Sequence, residues 1–179
     1  MIPVQNPARV FWLFGLSGAG KSTLANSLAI SLRNTGRGVL ALDGDDLRAG
    51  LCQGLGFSDD DRAENLRRAA ETAKLGLQSG LCVVAAFITP LERHRQLVAG
   101  LLDPHLSFIQ VNAPLNVCRL RDVKGLYAGA LAGKVAQLTG VTSDFELPAR
   151  TDLILHTDRE DVPTSTGRLL DFVRTIPST

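Results

Sequence analysis

Short apolar runs alternate along the 179-residue chain with longer segments in which apolar residues recur at helical spacing. The apolar runs are too short for amphipathic helices and contain few polar positions, which is typical of strands in a parallel sheet covered on both faces. They predict five strands, at residues 10–14, 39–43, 82–87, 107–111 and 153–156. Strands that alternate with helices are typical of βαβ units, so the pattern predicts an α/β fold.

The segments between and after the strands predict five helices, at residues 22–32, 59–79, 91–102, 115–121 and 162–173. We therefore expect a three-layer fold in which helices flank a mostly parallel, five-stranded sheet. Residues 124–148 contain four glycines and show weak periodicity, which favours a mobile lid. No repeat or linker indicates a second domain, so we expect residues 1–179 to form one domain.

Composition narrows the class of protein and of partner. Hydrophobic residues make up 45% and charged residues 21% of the chain, as in an ordinary globular protein. The formal net charge is only +1, so no broad field attracts nucleic acid or an anionic membrane. The chain has no signal-like N-terminus and no run of about 18 apolar residues, and we expect a cytoplasmic protein. Its three cysteines form no CxxC pair, and we expect buried or inert thiols.

The segment GLSGAGKST matches the pattern GxxxxGK[ST] and stands between a predicted strand and a predicted helix. Its glycines allow backbone N–H groups and the helix N-terminus to point at phosphate oxygens. Lys21 would reach the β and γ phosphates, and the Ser22 hydroxyl would coordinate Mg²⁺. The predicted nucleotide-binding residues of this segment are Gly15, Ser17, Gly18, Ala19, Gly20, Lys21, Ser22 and Thr23. No NKxD guanine motif is present and the chain is short, which favours a small-molecule kinase that uses Mg·ATP.

Charged residues follow the second predicted strand and open the longest predicted helix. Asp43 and Asp45 stand at the carboxyl edge of the sheet, where ligands of open α/β folds bind. Either carboxylate could accept the proton of an attacking hydroxyl or hold the water shell of a metal, and either could instead cap the next helix. Arg48 could meet an acidic substrate. Arg62 and Asn65 share a helix face that could bind an anion.

Six ordered segments resemble the adenylyl-sulfate kinase family over most of the chain: GLSGAGKST, LDGDDLRAGL, LGFSDDDRAENLRR, AAFITP, CRLRDVKGLY and LTGVTSDFELP. The resemblance implies transfer of the ATP γ-phosphate to the 3′-hydroxyl of adenylyl sulfate, which gives ADP and the activated sulfate donor PAPS. It implies that Asp45 orients or deprotonates this hydroxyl and that Lys124 approaches the phosphates when the lid closes. Family members commonly form dimers, so a homodimer is also expected.

The resemblance further implies which residues bind each substrate. Phe57 would stack on the adenine of adenylyl sulfate, and Arg48, Arg62 and Asn65 would hold the phosphosulfate of this acceptor. Arg121 lies where the family encloses the ATP base. The acceptor contacts implied by the resemblance are Asp43, Asp45, Arg48, Phe57, Arg62, Asn65, Ile88, Lys124 and Leu138.

Four departures from the family pattern concern the acceptor. Thr89 replaces a serine that is often described as a phosphoserine intermediate, and we expect a structural role because in-line transfer needs no covalent intermediate. Leu138 replaces a phenylalanine that forms the second wall around the acceptor adenine, which would weaken stacking by about 1 kcal/mol. Cys52 and Asp46 each replace an asparagine of the family pattern. The alternatives are a kinase of another nucleotide conjugate or phosphorylated metabolite, and a regulator without turnover, against which the retained Asp45 and Lys124 argue.

Overall fold

The fold is taken from a computed structural model that describes residues 8–133 and 137–177. Five strands are present in these ranges: β1 (Val10–Phe14), β2 (Val39–Asp43), β3 (Cys82–Phe87), β4 (Leu106–Asn112) and β5 (Leu153–His156). They form one sheet in the order β2-β3-β1-β4-β5, and every neighbouring pair is parallel. Four strands have the predicted bounds, and β4 is one residue longer than predicted at each end.

Seven helices lie in the described ranges: α1 (Lys21–Asn34), α2 (Gly44–Ala49), α3 (Asp59–Gln78), α4 (Glu92–Leu102), α5 (Leu115–Arg121), α6 (Leu126–Leu131) and α7 (Val162–Thr175). All five predicted helices are present, with ends shifted by at most two residues. The two short helices α2 and α6 were not predicted, because six residues are too few to show a helical period. Helix α6 lies within the segment that was expected to be a lid.

The core has two halves, one on each face of the sheet. Strand β1 is central and fully buried, and its successive side chains point to opposite faces. Phe11 and Leu13 pack with residues of α1 and α7, whereas Trp12 and Phe14 pack with residues of α3 and α4. Helices therefore cover both faces, and the predicted three-layer α/β architecture is confirmed.

Three strand ends meet at one edge of the sheet and position the site. Phe14 pairs with Phe87, and Asp43 pairs with Ala86 on the other side of β3. The glycine-rich segment follows β1, helix α2 follows β2, and Ile88 follows β3. The residues with predicted functions therefore leave the sheet at a common edge.

The cysteines are buried as expected. Cys52, Cys82 and Cys118 are free thiols that are 0%, 3% and 0% exposed. None of the helices in the described ranges has the length and apolar character needed to cross a bilayer. The single-domain organisation of residues 1–179 stays a prediction.

Candidate active site

A cavity of about 1060 Å³ opens at the carboxyl edge of the sheet. This volume lies at the upper end of the range for ligand sites in proteins. It is lined by nearly all of the predicted site residues: Ser17, Gly18, Ala19, Gly20, Lys21, Ser22, Thr23, Asp43, Asp45, Arg48, Phe57, Arg62, Asn65, Ile88, Arg121, Lys124 and Leu138. The structure thus brings the predicted nucleotide and acceptor groups into one space.

Gly15 is the one predicted residue that does not line this cavity; it is the first residue of the nucleotide cradle, which is the glycine-rich segment 15–23. A Cβ atom on Gly15 would stand 2.2 Å from the carbonyl oxygen of Val111 in β4, so only glycine fits there. Gly18 and Gly20 have φ angles of 77° and 100°, which favour glycine and curl the backbone over the start of α1. No side chain caps the N-terminus of α1, which leaves its N–H groups for an anion.

Lys21 lies at the floor of the cradle. Its Nζ atom donates a hydrogen bond of 2.8 Å to the Leu16 carbonyl. The pKa of Lys21 is lowered to about 8, chiefly by burial and also by the nearby charge of Lys124, although Asp43 and Cys118 act in the opposite direction. A bound phosphate group would place negative charge beside the Lys21 ammonium and would stabilise its charged form.

Ser22 and Asp43 form the part of the site that suits a magnesium ion. The Ser22 hydroxyl donates to Asp43 Oδ2 over 2.6 Å, and Asp43 Oδ1 accepts from the Asp45 amide at 2.9 Å. Asp43 therefore caps α2 and also faces the hydroxyl that was predicted to bind Mg²⁺, and its role toward a metal or an acceptor hydroxyl stays a prediction. Magnesium in kinases binds one or two protein oxygens together with phosphate oxygens and water, and this oxygen pair fits that role.

Asp45 and Lys124 form an ion pair across the mouth of the cavity. Asp45 belongs to α2 after β2, whereas Lys124 follows α5, so 79 residues of chain separate the two partners. Both side chains are at least half exposed. They are therefore accessible to an entering acceptor, and the pair needs little rearrangement to be broken.

Phe57 and two arginines form the acceptor side of the cavity. The guanidinium carbon of Arg48 lies 4.4 Å from the centre of the Phe57 ring, and that of Arg62 lies 5.6 Å from it. Arg48 donates to the Gly56 carbonyl at 2.8 Å, and Arg62 donates to the Phe57 carbonyl at 2.9 Å. These bonds hold the loop before α3, and the Phe57 ring remains 56% exposed and free to stack on a flat ligand.

Asn65, Ile88 and Leu138 complete the acceptor side. Asn65 is 3% exposed, and its Oδ1 atom has no hydrogen-bond partner among the described residues. The Ile88 carbonyl accepts a bond of 3.3 Å from the Gly15 amide, which joins β3 to the start of the cradle. Leu138 is 4% exposed and packs in the core half that contains α1.

Three carbonyls of the cradle accept hydrogen bonds from residues that also line the cavity. The Tyr127 hydroxyl donates to the Ser17 carbonyl at 2.9 Å, and the Thr157 hydroxyl donates to the Ala19 carbonyl at 2.7 Å. Arg121 donates to the Gly18 carbonyl at 3.3 Å and also to Thr157. These contacts fix the orientation of three peptide groups in the cradle. Sequence reasoning missed Tyr127 and Thr157 because neither belongs to a nucleotide-binding pattern.

Comparisons with known proteins agree with this geometry. The family model for adenylylsulphate kinase matches residues 7–156. The chain belongs to the adenylyl-sulfate kinase family. It is 48% identical to an adenylyl-sulfate kinase of Paraburkholderia xenovorans over 93% of each chain.

Solved structures of adenylyl-sulfate (APS) kinases give the same result. The Mycobacterium tuberculosis APS kinase CysC in complex with AMPPNP and APS superposes with a TM-score of 0.89 at 37% identity, covering 96% of this chain and 100% of that chain. A hexameric APS kinase from Thiobacillus denitrificans has a TM-score of 0.72 at 26% identity, covering 96% of this chain and 30% of that chain.

Thr89 departs from the adenylyl-sulfate kinase pattern at a buried position. Its side chain is 1% exposed, and its Oγ1 atom accepts a bond of 2.9 Å from Trp12 Nε1. Its φ angle is 45°, a strained value for a β-branched residue. The guanidinium of Arg95, itself 2% exposed, donates to the Thr89 carbonyl at 3.0 Å and helps to hold this backbone. These contacts support the structural role that we predicted for Thr89.

Cys52, the third departure from the adenylyl-sulfate kinase pattern, lies in the core half that contains α3 and α4. Its amide donates a bond of 2.7 Å to the Leu47 carbonyl, and burial raises the pKa of its thiol. Cys52 is absent from the set of residues that line the cavity. This substitution therefore changes packing in the core and adds no group to the cavity lining.

Proposed function

We propose that this chain is an adenylyl-sulfate kinase, which transfers the ATP γ-phosphate to the 3′-hydroxyl of adenylyl sulfate. One observation carries the proposal: a single cavity is lined by the nucleotide cradle from Ser17 to Thr23 and by the acceptor set around Phe57. The M. tuberculosis relative, which shares the fold over nearly the whole chain, was solved with AMPPNP and APS bound. Two nucleotides in one cavity are what this reaction requires.

The proposed transfer is an in-line displacement. The acceptor oxygen forms a bond to the γ phosphorus as the bond to the β,γ-bridging oxygen breaks, and ADP leaves with that electron pair. Asp45 orients the hydroxyl and takes its proton, while Lys21 and Lys124 face the phosphate oxygens. Ser22 and Asp43 would hold Mg²⁺, which neutralises charge on the phosphates when bound.

The ion pair of Asp45 with Lys124 supports this assignment. In the proposed cycle the entering hydroxyl replaces Lys124 at the Asp45 carboxylate, and the freed ammonium turns to the phosphates. The two groups with proposed catalytic roles thus begin in contact. The roles of these residues and of Arg48, Phe57, Arg62, Asn65, Ile88, Arg121 and Leu138 remain part of the proposal.

The test is ADP release with Mg·ATP and a panel of acceptors that includes adenylyl sulfate, AMP, other nucleotide conjugates and sugar phosphates. We expect selective turnover of adenylyl sulfate, with PAPS identified by mass. Selective turnover of a different acceptor would overturn the substrate assignment, and Leu138 in place of an aromatic wall makes this comparison necessary. ATP binding without turnover of any acceptor would contradict the kinase assignment.

Asp45→Asn tests the mechanism. General-base catalysis contributes about 10²-fold to 10⁴-fold, so kcat should fall by that factor while ATP binding persists. Asp46→Asn is the matched control, because Asp46 is the exposed neighbour on the same helix and is absent from the cavity lining. Unaltered turnover in Asp45→Asn would remove Asp45 from the mechanism.

Several expectations about the whole molecule remain proposals. The segment of about residues 124–148 is proposed to act as a lid, and residues 134–136 of it lie outside the described residues. The proposed homodimer is testable by light scattering, and a mass of one chain would refute it. The related T. denitrificans enzyme is hexameric, which makes self-association the appropriate measurement. Cytoplasmic location and the absence of nucleic-acid partners stay predictions.

A further inference from the structure

A compact turn connects the nucleotide cradle with the acceptor helix α3. The Val141 and Thr142 amides donate to the Leu138 carbonyl at 3.0 and 2.9 Å. Before this turn, Arg62 of α3 donates to the Gln137 carbonyl at 3.0 Å. Within it, Gly140 has a φ angle of 84°, and a Cβ atom there would lie 3.0 Å from the Leu16 side chain. The turn is therefore packed on the cradle at one end and bonded to α3 at the other.

Thr139 lies in the middle of this turn and is 1% exposed. Its hydroxyl oxygen has no hydrogen-bond partner among the described residues, although Thr139 lines the cavity. A buried hydroxyl without a partner costs free energy, and such groups in folded proteins are few. A hydroxyl at a cavity wall can recover this cost when a ligand supplies the partner.

Asn65 shows the same features on the facing element. It is 3% exposed, lines the cavity, and its Oδ1 atom also lacks a partner in the described part of the chain. Asn65 lies one helical turn from Arg62, which bonds to the residue two positions before Thr139. Two buried polar groups without partners therefore line the cavity near the junction of α3 and the turn.

We propose that the Thr139 hydroxyl hydrogen-bonds the acceptor nucleotide and so contributes to acceptor affinity. The inference rests on the proposed function, since it assigns a further residue to the site of adenylyl sulfate. The acceptor is favoured over ATP because the turn follows Gln137, which is bonded to Arg62 of α3, the helix that carries the proposed acceptor residues Arg62 and Asn65. The cradle binds phosphates through its own backbone and through Lys21. Thr139 thus contributes to acceptor binding from outside the glycine-rich segment 15–23, which binds the nucleotide phosphates.

The test is the isosteric change Thr139→Val, assayed by initial rates with each substrate varied in turn. A neutral hydrogen bond is worth about threefold to tenfold in affinity, so KM for adenylyl sulfate should rise by that factor. We expect KM for ATP to stay within about twofold, because the nucleotide cradle is unchanged. The melting temperature should stay equal or rise, because the variant loses a buried hydroxyl without a partner.

Two further variants separate ligand binding from a general effect of the substitution. Thr139→Ser keeps the hydroxyl and should restore the KM for adenylyl sulfate. Thr151→Val removes another buried hydroxyl that lacks a partner among the described residues, and Thr151 is not among the residues that line the cavity. This control should leave both KM values unchanged.

Two results would overturn the inference while leaving the proposed function intact: an unchanged KM for adenylyl sulfate in Thr139→Val, or a rise in KM that is equal for both substrates. A wild-type protein that turns over no adenylyl sulfate would overturn both proposals. The wild-type rate, measured first, therefore distinguishes failure of the residue assignment from failure of the function.

Discussion

Removing one oxygen atom, by Tyr127→Phe, tests whether side-chain contacts to the cradle carbonyls matter for ATP binding. The Tyr127 side chain is 3% exposed, and its ring packs in the core half that contains α1 and α7. Its hydroxyl makes the bond of 2.9 Å to the Ser17 carbonyl. Burial raises the pKa of Tyr127 to about 12, so the hydroxyl remains protonated and able to donate at any pH used for assay.

The magnitude follows from the single bond that is lost. Phenylalanine retains the ring and its packing, so only the hydrogen bond changes, at about 0.5–1.5 kcal/mol. A loss of about 1 kcal/mol should lower the melting temperature by about 2–4 °C in a domain of this size. If all of it is expressed in the position of the Ser17 peptide, KM for ATP should rise about fivefold. KM for adenylyl sulfate should change less, because Tyr127 contacts the cradle.

The assay is initial ADP release at saturating acceptor with ATP varied, together with thermal denaturation of the unliganded protein. Ser79→Ala is the control, since it removes an exposed hydroxyl that donates to the Leu75 carbonyl over 2.9 Å at the end of α3. The control should leave KM for ATP unchanged. A Tyr127→Phe variant with wild-type KM for ATP would refute the reasoning, because the hydrogen bond to the Ser17 carbonyl would then have no effect on the nucleotide site.

Two other changes have defined outcomes. Lys21 has a pKa of about 8 in the unliganded fold against 10.5 in an unfolded chain, so below pH 8 its charged form destabilises the protein, and this penalty is relieved as pH rises from 8 to 10.5. The wild type should therefore gain about 1–3 kcal/mol of unfolding free energy relative to Lys21→Met between pH 7.5 and 9.5 in urea titrations, and parallel curves would contradict the burial argument. Thr89→Val leaves Trp12 Nε1 without an acceptor and should lower the unfolding free energy by about 1–3 kcal/mol, whereas Thr89→Ser should not. Turnover should survive in a folded Thr89→Val protein, and its loss would indicate that the hydroxyl takes part in transfer.

The sheet was predictable because its three central strands, β3, β1 and β4, are largely apolar runs that the fold buries, and because the partly buried edge strands β2 and β5 are also short apolar runs. Central β1 has five buried residues in succession, so its bounds could be read from the sequence. The cradle was predictable for a different reason: its glycines are required by close approach, as the short distance from Gly15 to Val111 shows. A run of buried apolar residues and a glycine required by a close contact are each visible within a single segment of the sequence.

Contacts between distant segments produce no local sequence pattern. Tyr127 and Thr157 reach cradle carbonyls that are 110 and 138 residues away in sequence, and no spacing indicates these bonds. The turn that contains Thr139 is fixed by hydrogen bonds from two backbone N–H groups to the Leu138 carbonyl, and backbone N–H groups of most residue types could make these bonds. The sequence pattern of this region suggested only a lid, because weak periodicity does not distinguish a mobile loop from a bonded turn.

The burial of all three native thiols has a practical use for spectroscopy. Burial raises the pKa of Cys52 and Cys118, so little thiolate is present to react with a maleimide near neutral pH. Leu131, on α6, is 82% exposed, and Leu75, on α3, is 64% exposed. Cysteines introduced at these two positions would carry a fluorophore pair without removal of any native cysteine. Energy transfer between the dyes would then report the distance from the proposed lid to the body of the protein as each substrate is added.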